Sequence, residues 1–384
     1  MSVHPDPAPF PPFACFDPAA FPPLDHAGRL QALRASLAEA GCDALLVAKP
    51  AHVRYLTGFT GSAGLLLLGA DDALLVTDGR YRDQASEELR AAGVEAELGI
   101  GVTALAQREL VRSRAAGRAR VGLEAGSITW SAQRSYALDW FPDAELVPTD
   151  GLVEALRAVK DAGELARIEA ACAVADAALA AVRPLLGEEV TEAEFAAELD
   201  HAMRRRGASD RSFDTIVASG PHAALPHHRP GPRRIVEGDL VVIDFGALVD
   251  GYHSDMTRTV SVGPPGEVQA RLLEVVAAAQ AAGAKAVAPG VTAAAVDGAA
   301  RSVIEAAGWG EQFAHGTGHG VGLEIHEAPA VGATSAATLA LGQVVTVEPG
   351  VYLAQLGGVR IEDTLVVTPG GARTLTLAPK TTTV

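Results

Sequence analysis

The sequence predicts an α/β domain over residues 25–155 followed by an α+β domain over residues 156–384. Three observations carry this. In the first part, short apolar runs alternate with helical patterns, the order that lays helices on a sheet. In the second, helical segments stand between β-rich pairs joined by turn signals. Between them, "LVEALRAVKDAGELARIEAACAVADAALAAV" reads as a long amphipathic helical region broken near Asp161 to Gly163, which sets the boundary. At 384 residues the chain can build two cores.

Residues 1–24 are a Pro-rich arm, with eight prolines in the first 23 positions. Proline fixes φ and removes a donor, so an extended arm is expected, its four phenylalanines packing on the body or on a neighbouring subunit. "HAGRLQALRASLAEAGC" has helical spacing and a glycine stop. "DALLVAK", "AGLLLLGA" and "DALLVTD" are short buried strands, and "RYRDQASEELRAAG" is another helix. In the second domain "EAEFAAELDHAMRRRG", "VQARLLEVVAAAQAAGAKAV" and "TAAAVDGAARSVIEAAG" are helices. No repeat of fixed period is visible.

Composition excludes several partners. With 47 acidic against 31 basic residues and a net charge of −16, neither nucleic acid nor an anionic membrane surface is an expected partner. Apolar runs are broken by Gly and Asp short of a membrane span. Cys15, Cys42 and Cys172 are few and odd in number, and the start lacks the basic stretch and apolar core of a secretory leader, so a cytoplasmic protein is expected.

The chemistry concentrates in two acidic pairs. In "DLVVIDFGALVDGYHSDMTRTVSV", Asp250-Gly251 is a favoured two-residue hairpin turn. It would pair Val249 with Tyr252 and Asp244 with Thr257, putting Asp255 diagonally across from Asp244 on the same face, about 7–8 Å away. A carboxylate inside so apolar a run needs a partner or an ion. In "VVTVEPGVYLAQLGGVRIEDTLVV", Glu348 and Glu362 share a face only if the connection is odd in length or bulged, and Gly357-Gly358 would allow a bulge. Arg360 lies on the face of Glu362 and would orient a ligand carboxylate. Four hard oxygen ligands and one histidine suit two Mn²⁺ ions, or Co²⁺ or Zn²⁺, since four carboxylates cancel two dications. "HGTGHGVGLEIHE" is too rich in glycine for a stable helix and suits close approach to something bound, while its histidines suit metal ligation or proton transfer.

In order, "IDFG" (Asp244), "SDMTRT" (Asp255), "HGTGHGVGLEIHE" (His319), "EPGVY" (Glu348) and "VRIED" (Glu362) resemble the pita-bread metallopeptidases, the family of methionine aminopeptidase, aminopeptidase P, prolidase and the metal-free creatinase. "VRYLTGFTGSAG" and "LLVTDGRYRDQA" resemble the N-terminal domain of creatinase, prolidase and aminopeptidase P. The resemblance implies a creatinase-like α/β domain before a pita-bread catalytic domain. It implies that His319 and Glu348 ligate one metal, Asp244 the other, and that Asp255 and Glu362 bridge them. His227 (after Leu-Pro, in preference to His228), His315 and His326 would face substrate, with Arg360 also at the substrate site. The implied activity is hydrolysis of Xaa-Pro bonds at peptide N-termini by an aminopeptidase P-like enzyme, with prolidase and a non-catalytic binding protein as alternatives. The family usually forms dimers or larger homo-oligomers.

Overall fold

The computed structural model describes residues 20–354, 356–380, 383 and 384. Most of the Pro-rich arm lies outside the described residues. Of its phenylalanines Phe21 is described, and the Arg167 guanidinium stands 5.0 Å over its ring. The chain divides into two compact units, one from Leu24 to Arg157 and one formed mainly by Ala158–Val384.

In the N-terminal unit a six-stranded sheet runs in the order Glu97–Ile100, Ala73–Thr77, Gly64–Gly69, Ala44–Val47, Arg120–Glu124, Glu145–Thr149. The three central strands are antiparallel neighbours and the outer pairs are parallel. Ala44–Val47 is buried along its whole length, as a strand apolar on both faces must be. The helix His26–Leu37 starts at Asp25, whose carboxylate accepts from the Gly28 amide.

In the C-terminal unit the predicted helical region is two helices, Leu152–Ala158 (which crosses the division) and Ala162–Val182. The second opens with a capping box between Asp161 and Glu164. It packs with Glu192–Arg205 on the antiparallel sheet Ile216–Ser219, Leu240–Phe245, Met256–Ser261 through Ala175, Leu179, Phe195, Leu199, Ile243 and Phe245. A second helix pair, Glu267–Ala286 and Ala293–Ala306, covers the sheet built from Glu327–Val331, Gly318–Gly320, Val344–Val347, Asp363–Thr368 and Gly371–Thr374. Because side chains alternate along a strand, Val241, Ile243 and Phe245 join the first helical core, which sends Asp244 to the other face. Likewise Val345, Val347, Leu365 and Val367 join the second core, and the even-numbered residues turn away from it. Among the described residues no helix is long and apolar enough to cross a membrane.

Both hairpins resolve their registers. Val249 pairs with Tyr252 and Asp244 with Thr257, and Asp250 and Gly251 both have positive φ, 44° and 76°, as a type I′ turn requires. In the second hairpin Val347 pairs with Asp363 and Gly350 with Arg360, one unbroken register. The three-residue connection 354–356 is the odd link that sets Glu348 opposite Glu362, so the bulge allowed at Gly357-Gly358 is not needed.

The glycines of "HGTGHG" serve the backbone. A Cβ on Gly318 would collide with the Thr346 carbonyl, and one on Gly320 with the Ala328 carbonyl. At Gly318 and Gly320 the close approach is to neighbouring strands, while Gly316 and Gly318 also line the cavity described below. Gly320→Ala is expected to destabilise the protein by about 1–3 kcal/mol through overpacking. Gly298→Ala is expected to stabilise it by about 0.5–1 kcal/mol, since Gly298 lies in the helix Ala293–Ala306 with nothing within 4 Å of its added Cβ. Denaturant midpoints of the two variants measure the contrast.

Candidate active site

The inward faces of the two sheets meet at a cavity of ≈ 300 Å³ in the C-terminal unit. Asp244, Asp255, His319, Glu348, Glu362, His227, His315, His326 and Arg360 all line it, with Phe213, Ile216, Pro226 and Ile325 as its apolar wall. Asp244 projects from the strand Leu240–Phe245. Asp255 sits in the break between Tyr252–His253 and Met256–Ser261, its carbonyl held by the Thr364 hydroxyl at 2.8 Å. Glu348 and Glu362 flank the second hairpin's ladder, and His319 is the middle residue of the Gly318–Gly320 strand.

Hydrogen bonds fix these groups. Arg360, buried, donates from Nη2 to Asp244 Oδ2 at 2.6 Å, from Nη1 to the Tyr352 hydroxyl at 2.8 Å and from Nε to Thr257 Oγ1 at 3.1 Å. Thr257 in turn donates to Glu362 Oε2 at 2.7 Å. His319 Nδ1 bonds the Gly320 carbonyl at 2.9 Å, so that nitrogen carries the proton. Nε2 then points at Asp255 and Glu348, 3.4 Å from a carboxylate oxygen of each. His315 Nδ1 bonds the Gly316 carbonyl at 2.7 Å and Nε2 takes the Tyr352 hydroxyl at 2.9 Å. Both its nitrogens are thus engaged within the protein, although the ring lines the cavity. His326 stands edge-on to His319, ring centres 4.4 Å apart.

The protein's own cations do not neutralise this cluster. Burial, reinforced by Asp244 and opposed by His319 and Arg360, pushes Asp255 up to about 6. Burial raises Glu348 to about 7 and holds Glu362 well above the usual carboxylate range. Burial works against a charged His319, but its bond to Asp255 and the charges of Asp255 and Glu348 outweigh that and raise it to about 9. His315 goes the other way, to about 4, through burial and the nearby Arg360, His227 and Arg301. Two buried oxygens, Asp244 Oδ1 and Glu362 Oε1, have no hydrogen-bond partner among the described residues. Asp255, His319 and Glu362 offer ligand atoms within 4.8 Å of one another. An oxygen-rich, undercompensated donor set with orphaned lone pairs fits hard divalent cations.

Sequence reasoning missed Tyr352 and Thr257. The parity that puts Arg360 on the face of Glu362 also puts Tyr352 there, and Thr257 was already paired with Asp244, so the signal was present in both cases. It also missed what His228 does: its Nε2 bonds Glu192 at 2.9 Å, away from the cavity that His227 lines.

Comparison with known proteins gives the family and the fold. Residues 166–369 match the model of metallopeptidase family M24, and residues 29–159 match the creatinase/prolidase N-terminal domain. The uncharacterized peptidase YqhT of Bacillus subtilis is 42% identical over 352 residues, 92% of this chain and 98% of that protein. The structure of an Xaa-Pro dipeptidase from Bacillus anthracis superposes with a TM-score of 0.89 at 38% identity, covering 94% of this chain and 100% of that one. That of an X-Pro aminopeptidase from Thermotoga maritima gives 0.82 at 35% identity, covering 90% and 98%. A creatinase/prolidase N-terminal domain thus precedes a pita-bread domain, and the chain belongs to metallopeptidase family M24.

Proposed function

We propose that this protein is a binuclear, metal-dependent Xaa-Pro aminopeptidase that releases the first residue of peptides with proline second. One observation carries the choice over a dipeptidase. A dipeptidase must hold the free carboxylate of its proline, best through an unoccupied guanidinium. Among the described residues lining the cavity the one Lys or Arg is Arg360, and its guanidinium is taken by Asp244, Tyr352 and Thr257. The segment Glu327–Val347 contains neither Lys nor Arg. A longer peptide presents a neutral amide where a dipeptide presents that carboxylate.

Asp244, Asp255, His319, Glu348 and Glu362 would hold two divalent ions, manganese first with cobalt or zinc compatible. When bound, such ions supply a hydroxide at neutral pH and polarise the scissile carbonyl. The side chains do the rest. Arg360 and Thr257 fix Asp244 and Glu362 so that one oxygen of each faces the cavity. His227 and His326 donate to the carbonyl oxygen as its charge develops. Glu348 accepts the nucleophile's proton and returns it to the leaving nitrogen. That nitrogen belongs to an imide without hydrogen and has to be protonated to depart. His315, held by Gly316 and Tyr352, shapes the substrate wall and keeps Tyr352 and Arg360 in place.

Prolidase is the second reading. The B. anthracis relative carries the name Xaa-Pro dipeptidase. A neighbouring cavity of ≈ 640 Å³, which shares His227, is lined by Arg211 and Arg229.

Steady-state kcat/KM with Ala-Pro-Ala is expected to exceed that with Ala-Pro by tenfold or more in Mn²⁺. A tenfold preference for the dipeptide would make the protein a prolidase. Ligand and donor roles separate by metal content. Asp255→Ala or Glu362→Ala should lose at least one ion and nearly all activity. His227→Ala and His326→Ala should keep both ions while kcat falls by roughly 10²–10³, the scale of one lost oxyanion donor. Metal loss from either histidine variant would make that residue a ligand.

A further inference from the structure

A second cluster of metal-ligating side chains stands apart from the four carboxylates. Glu192, at the start of the helix Glu192–Arg205, is fully buried. Its Oε1 accepts from the Ser219 amide at 2.8 Å and the Ser219 hydroxyl at 2.7 Å, and its Oε2 from the Gly231 amide at 3.2 Å. Those three donors fill most of the roughly four lone-pair positions of a carboxylate. Two imidazoles then converge on it: His222 Nδ1 lies 2.9 Å from Oε1 and 3.2 Å from Oε2, and His228 Nε2 lies 2.9 Å from Oε2. The two rings are 4.2 Å apart and tilted by 31°. One nitrogen of each ring and one carboxylate oxygen lie within 4.8 Å of one another.

For hydrogen bonding alone this set is overfull, since one nearly saturated carboxylate faces two ring N–H groups. It becomes complementary if both nitrogens turn their lone pairs inward onto a cation. We propose that Glu192, His222 and His228 bind one divalent ion of the zinc class, separate from the ions of the carboxylate cavity. Two imidazoles and one carboxylate select a borderline ion such as Zn²⁺ over Mn²⁺ or Mg²⁺. Three protein ligands leave a fourth position for water. The 2.9 Å nitrogen–oxygen separations need to open by roughly half an ångström for tetrahedral zinc, whose bonds to N and O are about 2.0–2.2 Å. Entry is available: the His222 side chain is 37% exposed, and His228 lines the ≈ 640 Å³ cavity. The bound ion ties the first turn of the helix to the turn Gly220–Ala224 and to His228, next to His227.

The test uses the full chain loaded with Mn²⁺, dialysed against buffered micromolar Zn²⁺, and counts both metals. Wild type should hold one zinc per chain more than the His222→Asn/His228→Asn double variant, while the two chains keep equal contents at the carboxylate site. Equal zinc in both overturns the proposal without touching the assignment of the peptidase centre. If the double variant does not fold, His222→Asn alone decides: zinc affinity at this site should fall at least tenfold, and an unchanged affinity overturns the proposal.

Discussion

Four carboxylates in one cavity are the constraint around which the C-terminal unit is arranged. Like charges about 4 Å apart repel by about 4 kcal/mol even at an effective dielectric of 20, and burial removes the hydration of each. The fold compensates in part, with a guanidinium on Asp244, an imidazole facing Asp255 and Glu348, and a hydroxyl on Glu362. Compensation stops there, leaving one oxygen of Asp244 and one of Glu362 bare. Buried groups left so poorly matched are costly for stability alone. Their remaining demand is for positive charge at the centre of the cavity.

Strand parity delivers these groups. Each hairpin gives alternate residues to a helical core and the others to the cavity, so the apolar residues that stabilise the fold also aim the acids. Thr257 shows the coupling most directly. It pairs with Asp244 across one ladder, donates to Glu362 and accepts from Arg360. A one-residue slip in either hairpin would turn its acid into a hydrophobic core.

That is why so much of the site was legible. The Asp250-Gly251 turn and period-two alternation fix where Asp244 points, and Glu348 and Glu362 follow from the same rule once the connection is odd. What could not be read depends on contacts between distant segments. Nothing local in "HGTGHG" says that Gly318 and Gly320 are pressed against the Thr346 and Ala328 carbonyls. Nothing local says that His228 turns to Glu192, 36 positions earlier, while His227 lines the cavity. Adjacent histidines are equivalent in sequence, and only tertiary packing sends them to different partners. The odd connection itself needed the ladder on both sides of the turn, since a bulge at Gly357-Gly358 would have met the same parity requirement.

The direction of the hydrogen bonds fixes where the protons sit along the chain from Arg360 to Gly316. Arg360 can only donate, so the Tyr352 oxygen accepts from it and its O–H is left for His315 Nε2. His315 Nδ1–H is then committed to the Gly316 carbonyl. Every proton along this chain has one position, and the low proton affinity of His315 keeps its ring neutral. His319 is held by the same kind of bond, Nδ1–H to the Gly320 carbonyl, and its raised proton affinity makes Nε2 a second donor facing Asp255 and Glu348, a place a bound ion would take over. Among the described residues, two of the four histidines around the cavity are therefore held in place by backbone carbonyls. In the proposed mechanism proton movement would fall to groups outside the locked chain: Glu348 among the acids, and the rings of His227 and His326 on the substrate side.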